Sequence, residues 1–206
     1  MYRADVKRKE DNKITVNSGR KGASHTRKVV YCGVMTALMA ALSQVALPLP
    51  SGVPVTLQTF AVALCGYFGG IWSVVSIVAY LILGLVGVPV FASFRGGISA
   101  IVGPTGGFLV GFIPMIILCS IRFKSLSYVK NIIARIVFGV LGLICLHVLG
   151  VLWFSFQSGN GFIPSLLLVS VPYLLKDVIS VVGGYFLAEV LNRRLKNPMY
   201  SANTKI

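Results

Sequence analysis

The sequence predicts an all-α integral membrane protein with six transmembrane helices and both termini in the cytoplasm. The first observation is composition, because 56% of the 206 residues are hydrophobic and 12% are charged, whereas about a quarter of a soluble domain is charged. The mean hydropathy is +0.85. The second is a series of nearly uncharged apolar runs, each close to the ~20 residues that cross a bilayer. The third is the placement of the basic residues.

Lysine and arginine are concentrated in the segments that six crossings leave on one side of the membrane. With both termini inside, the inner segments hold 16 of these residues and the three outer loops hold one. Cytoplasmic loops carry such an excess. The chain is accordingly divided into a basic cytoplasmic tail at 1–28, a membrane domain at 29–191 and a second basic cytoplasmic tail at 192–206. The first tail is expected to contact anionic membrane lipid.

The six predicted crossings follow one another with breaks at prolines and glycines. They cover residues 29–47, 56–70, 71–87, 105–121, 132–156 and 164–190. Pro48, Pro50 and Pro54 separate the first two crossings, because proline cannot donate to a helix ladder. At the start of the fourth, glycines recur every four residues, at Gly103, Gly107 and Gly111. This spacing predicts a smooth strip for close helix packing.

The first predicted helix carries two alanines, Ala37 and Ala41, four residues apart. Residues at this spacing share one helix face, and small residues there let a second helix approach closely in lipid. Two interpretations are open. The pair is a docking face for another helix, or alanine is present simply because it favours helix.

The connection at 88–107, called the lid below, is long, rich in glycine and apolar. Pro89 and Pro104 prevent one continuous helix through it, and its apolar composition argues against disorder. We interpret it as an ordered lid whose single charge, Arg95, is directed at an anionic group. The alternative is a plain connecting loop whose arginine extends to lipid headgroups.

Gln58, Lys176 and Asp177 lie within predicted crossings, where a polar side chain needs a partner. Gln58 requires a neighbouring helix or a ligand. Lys176 and Asp177 reduce each other's cost of burial, but neighbours on a helix point about 100° apart, so at least one is expected to face another group. At 1.5 Å per residue the pair lies ~18 Å along the helix from Pro164, near mid-membrane. A ligand site, a proton relay and a structural ion pair all fit this position.

Several classes of function are disfavoured. The net charge is +14, but the interior of the chain is almost free of lysine and arginine, so nucleic acid is not an expected partner. The sequence has no phosphate-binding glycine loop, no set of zinc ligands and no Ser/His/Asp constellation. We therefore expect no metal, no cofactor and no enzyme activity. His147, inside the fifth crossing, is expected to hydrogen bond to a neighbouring helix.

A few polar groups in an apolar, glycine-rich bundle are typical of a site for a small organic ligand. Four stretches carry a more specific resemblance. They are PVTLQT at 54–59, GLVGVPVFASFRGG at 84–97, GPTGGFLVGF at 103–112 and LLKD at 174–177. Together they resemble the BioY family, the biotin-capturing membrane subunits of energy-coupling factor transporters. The resemblance extends roughly from Thr36 to Asp177.

The resemblance implies a six-helix subunit of the cell membrane that binds biotin from the outer side, gated by its first and third loops. It also implies that the subunit delivers biotin across the membrane with a transmembrane coupling subunit and two ATPase subunits. In such proteins, small residues on the first helix carry the docking, and Ala37 and Ala41 match them.

Site residues follow from the same resemblance. The resemblance implies that Asp177 accepts hydrogen bonds from the ureido N–H groups and that Lys176 donates to the ureido oxygen. It also implies that Arg95 binds the carboxylate and that Gln58 lines the pocket. Some relatives use an asparagine to hold the ureido ring, and this sequence has no clear counterpart. Tyr80 or Leu81 lies near its place, and Tyr80 is carried over as a candidate.

Two alternatives to biotin uptake remain. One is a substrate-binding component for another small vitamin, which the four motif stretches disfavour. The other is a non-transport membrane subunit or a membrane enzyme. An enzyme would need a nucleophile with an oriented acid–base partner, and no such set is evident. Copurification with biotin distinguishes these possibilities.

Overall fold

The computed structural model of the chain describes residues 26–50, 52–123 and 127–195. The two predicted tails fall mainly on 1–25 and 196–206 and lie outside the described residues. Helix α1 covers residues 26–43. It is followed by β1 (Ala46–Leu47), β2 (Val55–Thr56), α2 (Gln58–Gly69), α3 (Trp72–Leu85), a 3-10 turn (Ala92–Phe94), α4 (Ile98–Val102), α5 (Gly106–Ser120), α6 (Tyr128–Ser158), α7 (Phe162–Val169) and α8 (Val171–Arg194).

Helix α2 is the centre of the bundle, since 11 of its 12 residues are buried. It packs against α8 and α5, and α5 packs along α6. A Cβ at Gly107 would lie 2.6 Å from the carbonyl oxygen of Leu149, and one at Gly111 would lie 3.0 Å from Cα of Leu146. The predicted close packing is therefore confirmed at these two glycines. Gly103 precedes α5 and is not part of this strip.

Large apolar side chains cover much of the outside of the bundle. On α6 the exposed ones recur at helical spacing, at Val137, Leu141, Ile144, Val148 and Leu152. A helix that is apolar on its outer as well as its inner face is typical of a membrane span. Within the described residues, α6 is by itself long and apolar enough to cross a membrane. Helices α7 and α8 meet the criterion as a bent pair, and α3 and α5 are apolar but shorter.

The first predicted helix is shorter than expected. It ends at residue 43 rather than 47, because the next residues form a small hairpin. In this hairpin Ala46 pairs with Thr56 and Leu47 pairs with Val55. The hairpin brings the end of α1 beside the start of α2.

The prediction of one straight sixth helix is wrong. Helices α7 and α8 meet at an angle of 53°, and Ser170 between them has φ −124° and ψ −57°. Pro172 occupies the first turn of α8, where it has no N–H to bond back to α7 and continue one helix ladder. The ~18 Å expected from Pro164 to Lys176 assumed one straight axis, which the bend at Ser170 does not provide.

The lid folds into compact turns rather than a simple loop. It contains the 3-10 turn and α4, neither of which the sequence indicated, and its last two residues begin α5. Phe91 and Arg95 face each other across the 3-10 turn, with the Phe91 N–H 2.9 Å from the Arg95 carbonyl oxygen. The Phe91 side chain is buried against α3 at Gly84.

Candidate ligand-binding site

A cavity opens where the lid, the hairpin loop and the first turn of α2 meet α5, α6 and α8. Counted with its open mouth, the empty space amounts to about 660 Å³. Apolar wall residues include Val53, Phe91, Phe108, Leu109, Phe112 and Leu146. The polar wall residues are Thr56, Gln58, Thr59, Arg95, Thr105, His147, Tyr173, Lys176 and Asp177. Four of the five predicted ligand-binding residues thus share one cavity.

Charged and polar side chains form a continuous cluster across one wall. The Nζ atom of Lys176 lies 2.5 Å from Oδ1 of Asp177 and donates to the backbone oxygen of Thr56 at 2.7 Å. On the other side, Oδ2 of Asp177 lies 3.3 Å from Nε2 of His147. The Nδ1 atom of His147 lies 3.0 Å from Oγ of Ser170, at the bend between α7 and α8.

The structure agrees in part with the expectation that Lys176 and Asp177 point in different directions. Lys176 and Asp177 form a close ion pair although they are adjacent on a helix, because the long lysine side chain folds back to the carboxylate. Each also contacts a different group, as predicted. Asp177 is 4% exposed, so its charge is held away from water and is stabilised by these partners.

Gln58 lies at the start of α2 and is almost completely buried in the cavity wall. Its Nε2 atom donates to the hydroxyl of Tyr80 at 2.8 Å, and Tyr80 donates to the backbone oxygen of Val90 at 3.0 Å. Tyr80 is fully buried and lies behind Gln58, outside the cavity wall. The predicted contact of Tyr80 with ligand is therefore revised, and its position fits orientation of the Gln58 amide.

Arg95 is exposed and lines both the cavity and an outer groove of the lid. Within residues 26–50, 52–123 and 127–195, no carboxylate forms an ion pair with its guanidinium. The described surroundings thus leave the guanidinium open to an anionic group that enters the cavity.

The end of α1 holds the lid, a function that the sequence did not indicate. Ser43 donates to the backbone oxygen of Val90 at 2.5 Å, and the Gln44 side-chain oxygen accepts the Phe94 N–H at 2.9 Å. Ser93 and Phe94 both have positive φ, 59° and 57°, which non-glycine residues seldom adopt. Strained backbone of this kind persists where neighbouring groups hold it, and Gln44 is such a group.

His147 and Tyr173 are two cavity residues that sequence reasoning did not assign to the site. The Tyr173 hydroxyl donates to the backbone oxygen of Val53 at 2.5 Å, across 120 residues of sequence. His147 was expected to hydrogen bond to a neighbouring helix, and it contacts Ser170 and Asp177. Polar residues in membrane helices generally pair with one another, so a contact between His147 and Asp177 could have been predicted from the sequence.

The two alanines proposed for docking lie on an open face of α1. Ala37 and Ala41 are both exposed. Gly33, one turn earlier on the same face, is exposed as well, and a Cβ added to it would meet no atom within 4 Å. Within the described chain, this face is therefore available for a partner.

The fold is a helical bundle with one cavity that has an apolar chamber, a cation–carboxylate pair at one side and an arginine at the mouth. An apolar pocket with a few placed polar groups is typical of proteins that bind small organic ligands. The chain belongs to the BioY family, whose sequence profile matches residues 12–197.

Individual relatives cover most of the chain. It is 33% identical to the "Biotin transporter BioY" of Thermotoga maritima over 79% of this chain and 94% of the relative. It is 34% identical to the protein of the same name from Rhodobacter capsulatus, over 76% of this chain and 88% of the relative. A solved structure, the S-component for biotin from an ECF-type ABC transporter, superposes with a TM-score of 0.75. It has 25% identity and covers 83% of this chain and 93% of that chain.

Proposed function

We propose that this protein binds biotin from the outer side of the cell membrane and delivers it across, together with an ATP-driven coupling module. The observation that carries the proposal is the buried Lys176–Asp177 pair in the wall of a cavity that also contains Arg95. Membership of the BioY family and the names of the relatives support it.

The ureido ring of biotin matches the buried pair. A ureido group offers two N–H donors and one strong acceptor, and a carboxylate beside an ammonium is the complementary set. Asp177 accepts the N–H bonds and Lys176 donates to the ureido oxygen. Lys176 is the more accessible partner, with 26% of its side chain exposed against 5% for Asp177.

The remaining parts of biotin match the rest of the cavity. The apolar thiophane ring packs against the aromatic and aliphatic wall, which includes Phe91, Phe108 and Phe112. Gln58 lines the pocket beside the ring. The valerate carboxylate pairs with Arg95, which can reach an anion while it stays in contact with water. The ligand is bound and released unchanged, so no residue is given a catalytic role.

In the membrane, we propose six spans with both termini cytoplasmic. The spans are α1, α2, α3, α5, α6 and the bent pair α7–α8, and the lid lies outside. The exposed apolar stripe of α6 supports lipid contact. Single cysteines at Asn160 and Ser127, in a background without the four native cysteines, test this. A membrane-impermeant reagent added outside should label the first and not the second, and the opposite pattern contradicts the topology.

Docking on a transmembrane coupling subunit that two ATPase subunits drive uses the open face of α1. Replacing Ala37 and Ala41 with tryptophan should prevent close helix approach and abolish copurification with the coupling module, while biotin affinity stays unchanged. A matched control places tryptophan at Leu141 and Val148, which are exposed on α6. Wild-type recovery of the complex by the tryptophan variant contradicts the docking assignment.

The central experiment is direct binding of biotin to the purified full chain in detergent. We expect saturable, one-to-one binding of biotin and no comparable binding of other small vitamins such as thiamine or riboflavin. Tight binding of a different vitamin would assign another substrate to the cavity. Absence of binding by well-folded protein would refute the proposed function.

A further inference from the structure

The outer groove of the lid lies next to the cavity and takes part in none of the proposed ligand contacts. Three of its wall residues, Arg95, Ala100 and Thr105, also line the cavity. Others, among them Phe94 and Ser99, line the groove and not the cavity. The groove and the cavity are therefore neighbouring spaces that meet at Arg95, Ala100 and Thr105.

Short side chains form most of the boundary between these two spaces. Ala100 has only a methyl group, and the Thr105 hydroxyl donates to the Ala100 carbonyl oxygen at 3.3 Å, which holds the threonine side chain against the backbone. The third boundary residue, Arg95, is exposed, and its long side chain can move without disturbing a buried contact. A narrow chain of ligand atoms can thus extend from the cavity into the groove beside Arg95.

The far side of the groove is fixed by hydrogen bonds to its backbone. Trp153 on α6 donates from Nε1 to the carbonyl oxygen of Gly103 at 2.9 Å, and the Gly103 N–H donates to the carbonyl oxygen of Ser99 at 3.0 Å. A groove that is already formed costs little to occupy, because few groups have to be ordered on binding. Ser99 is exposed, so a polar group in the groove keeps its contact with water.

We infer that the site accepts not only free biotin but also biotin whose carboxyl group is joined to another group through an amide, with the added group in the outer groove. The inference rests on the proposed biotin function, which assigns the ureido ring to Asp177 and the carboxyl end to Arg95. Asp177 is 4% exposed, whereas Arg95 is at the mouth. Only the carboxyl end is then directed outward, so an extension there leaves the ring contacts unchanged.

The expected effect of the extension on affinity is small. An amide has no negative charge and loses the ion pair with Arg95, which is exposed and contributes up to roughly fivefold in affinity. The amino-acid end of biotinyl-lysine (biocytin) carries an ammonium and a carboxylate, and in an open groove both stay hydrated. The large cost of burying a charge is therefore avoided. A site that is closed at the carboxyl end would instead reject the extension by steric overlap.

The first test compares the dissociation constants of biotin, biotin amide and biocytin for the purified full chain in detergent. Biotin against biotin amide isolates the loss of the carboxylate, and biotin amide against biocytin isolates the extension. We expect the two amides to bind within about threefold of each other and within about fivefold of biotin. Rejection of biocytin, by more than about fiftyfold relative to biotin amide, overturns the inference.

Ser99→Trp tests whether the extension occupies the groove. The indole fills space in the groove wall, and Ser99 does not line the cavity. Affinity for biocytin should fall at least about tenfold, while affinity for biotin and biotin amide should change by less than about twofold, because only the extended ligand meets the new side chain. The matched control is Ile98→Trp, which is 68% exposed and lines neither space. All three ligands should bind this control as they bind wild type.

A milder variant gives an independent measurement if Ser99→Trp does not fold. Ser99→Cys, in a background without the four native cysteines, is treated with a biotin derivative that carries a bromoacetyl group on a short carboxyl-linked chain. Binding holds the reactive carbon near the thiol at a high effective concentration. We expect alkylation at least about tenfold faster than in Ile98→Cys, and suppression of this difference by excess free biotin.

The two proposals fail in different ways. Wild-type protein that binds biotin and biotin amide but rejects biocytin overturns the inference and leaves the proposed function intact. Unchanged biocytin affinity in folded Ser99→Trp overturns it as well, as does alkylation of Ser99→Cys that is slow and insensitive to free biotin. Failure of well-folded wild-type protein to bind any of the three ligands instead refutes the proposed function.

Discussion

Buried charges occur at both ends of this bundle, and the two ends satisfy them differently. At the cavity end, Lys176 and Asp177 form an ion pair with one side toward an open chamber. At the opposite end, Arg135 is 3% exposed and lies 3.8 Å from Glu189. Its guanidinium donates to the backbone oxygen of Tyr67 at 2.9 Å and packs over the rings of Tyr67 and Tyr185.

Helix α2 connects the two clusters. Its first turn contributes Gln58 to the cavity wall. The carbonyl groups at its other end are bound by arginines, since Arg122 donates to Phe68 at 2.8 Å and Arg135 donates to Tyr67. Cations at a helix C-terminus are favourable because of the helix dipole. Buried charge alone therefore does not mark a ligand site, and the feature that distinguishes the Lys176–Asp177 end is its cavity.

Asp177→Asn changes the charged pair at the cavity end and should give the largest loss of biotin affinity among these variants. The amide replaces a pure acceptor with a mixed donor and acceptor and leaves Lys176 without its counter-charge. Loss of a charged partner in a buried site costs about 2–5 kcal/mol, which is roughly 30-fold to several thousandfold in biotin affinity. Calorimetry in detergent measures it. The matched control is Glu189→Gln, the other carboxylate in the described chain, which should leave affinity unchanged. Equal affinity in Asp177→Asn and wild type would remove the site from α8.

Arg135→Met changes the opposite end of the bundle and should lower the stability of the fold without changing biotin affinity. Removing one partner of a buried pair costs on the order of 3 kcal/mol, so the unfolding midpoint should fall while the folded fraction binds biotin normally. Arg193 also contacts Glu189, at 3.1 Å, but 61% of its side chain is exposed. Arg193→Ala is therefore the control and should leave the unfolding midpoint close to that of the wild type, because water screens an exposed ion pair. A selective loss of biotin affinity in Arg135→Met would contradict the division between the two ends.

Arg95→Ala tests the mouth of the cavity. An ion pair in contact with water is worth up to about 1 kcal/mol, so biotin affinity should fall by up to roughly fivefold. Biotin amide, which has no carboxylate, should bind the variant and wild type equally. Equal losses of affinity for biotin and biotin amide would show that Arg95 does not bind the carboxylate.

Gln44→Ala should give the smallest effect, because it removes only two neutral hydrogen bonds to the lid, one from the Phe94 N–H at 2.9 Å and a long one to the Pro89 backbone oxygen at 3.4 Å. Such a bond contributes about 0.5–1.5 kcal/mol, part of which the strained lid backbone releases on opening. We expect biotin to dissociate about twofold to threefold faster, with a smaller change in equilibrium affinity. Ser99→Ala, exposed in the same lid, is the control. Dissociation at the wild-type rate in Gln44→Ala would show that other contacts hold the lid.

Much of the fold was accessible from the sequence because it depends on local properties. Apolar runs, proline breaks and basic segments predicted where helices lie, and the glycine spacing at Gly107 and Gly111 predicted their close packing. The bend at Ser170 was not foreseen, although Pro172 was its signal. A proline in the first turn of a helix is compatible with a continuous apolar run, so the apolar composition of residues 164–190 gave no sign that the helix is broken.

For the site residues, too, one part was predictable from the sequence and another part was not. Residue type and position showed that Gln58, Arg95, Lys176 and Asp177 are polar groups within or between apolar segments, and that each needs a partner. Which partners they have depends on how the helices pack. The tertiary structure placed Tyr80 behind Gln58, joined His147 to Asp177, and brought Gln44 onto the lid. These contacts join residues separated by at least 22 positions, and they depend on how whole helices pack, which short-range spacing does not determine.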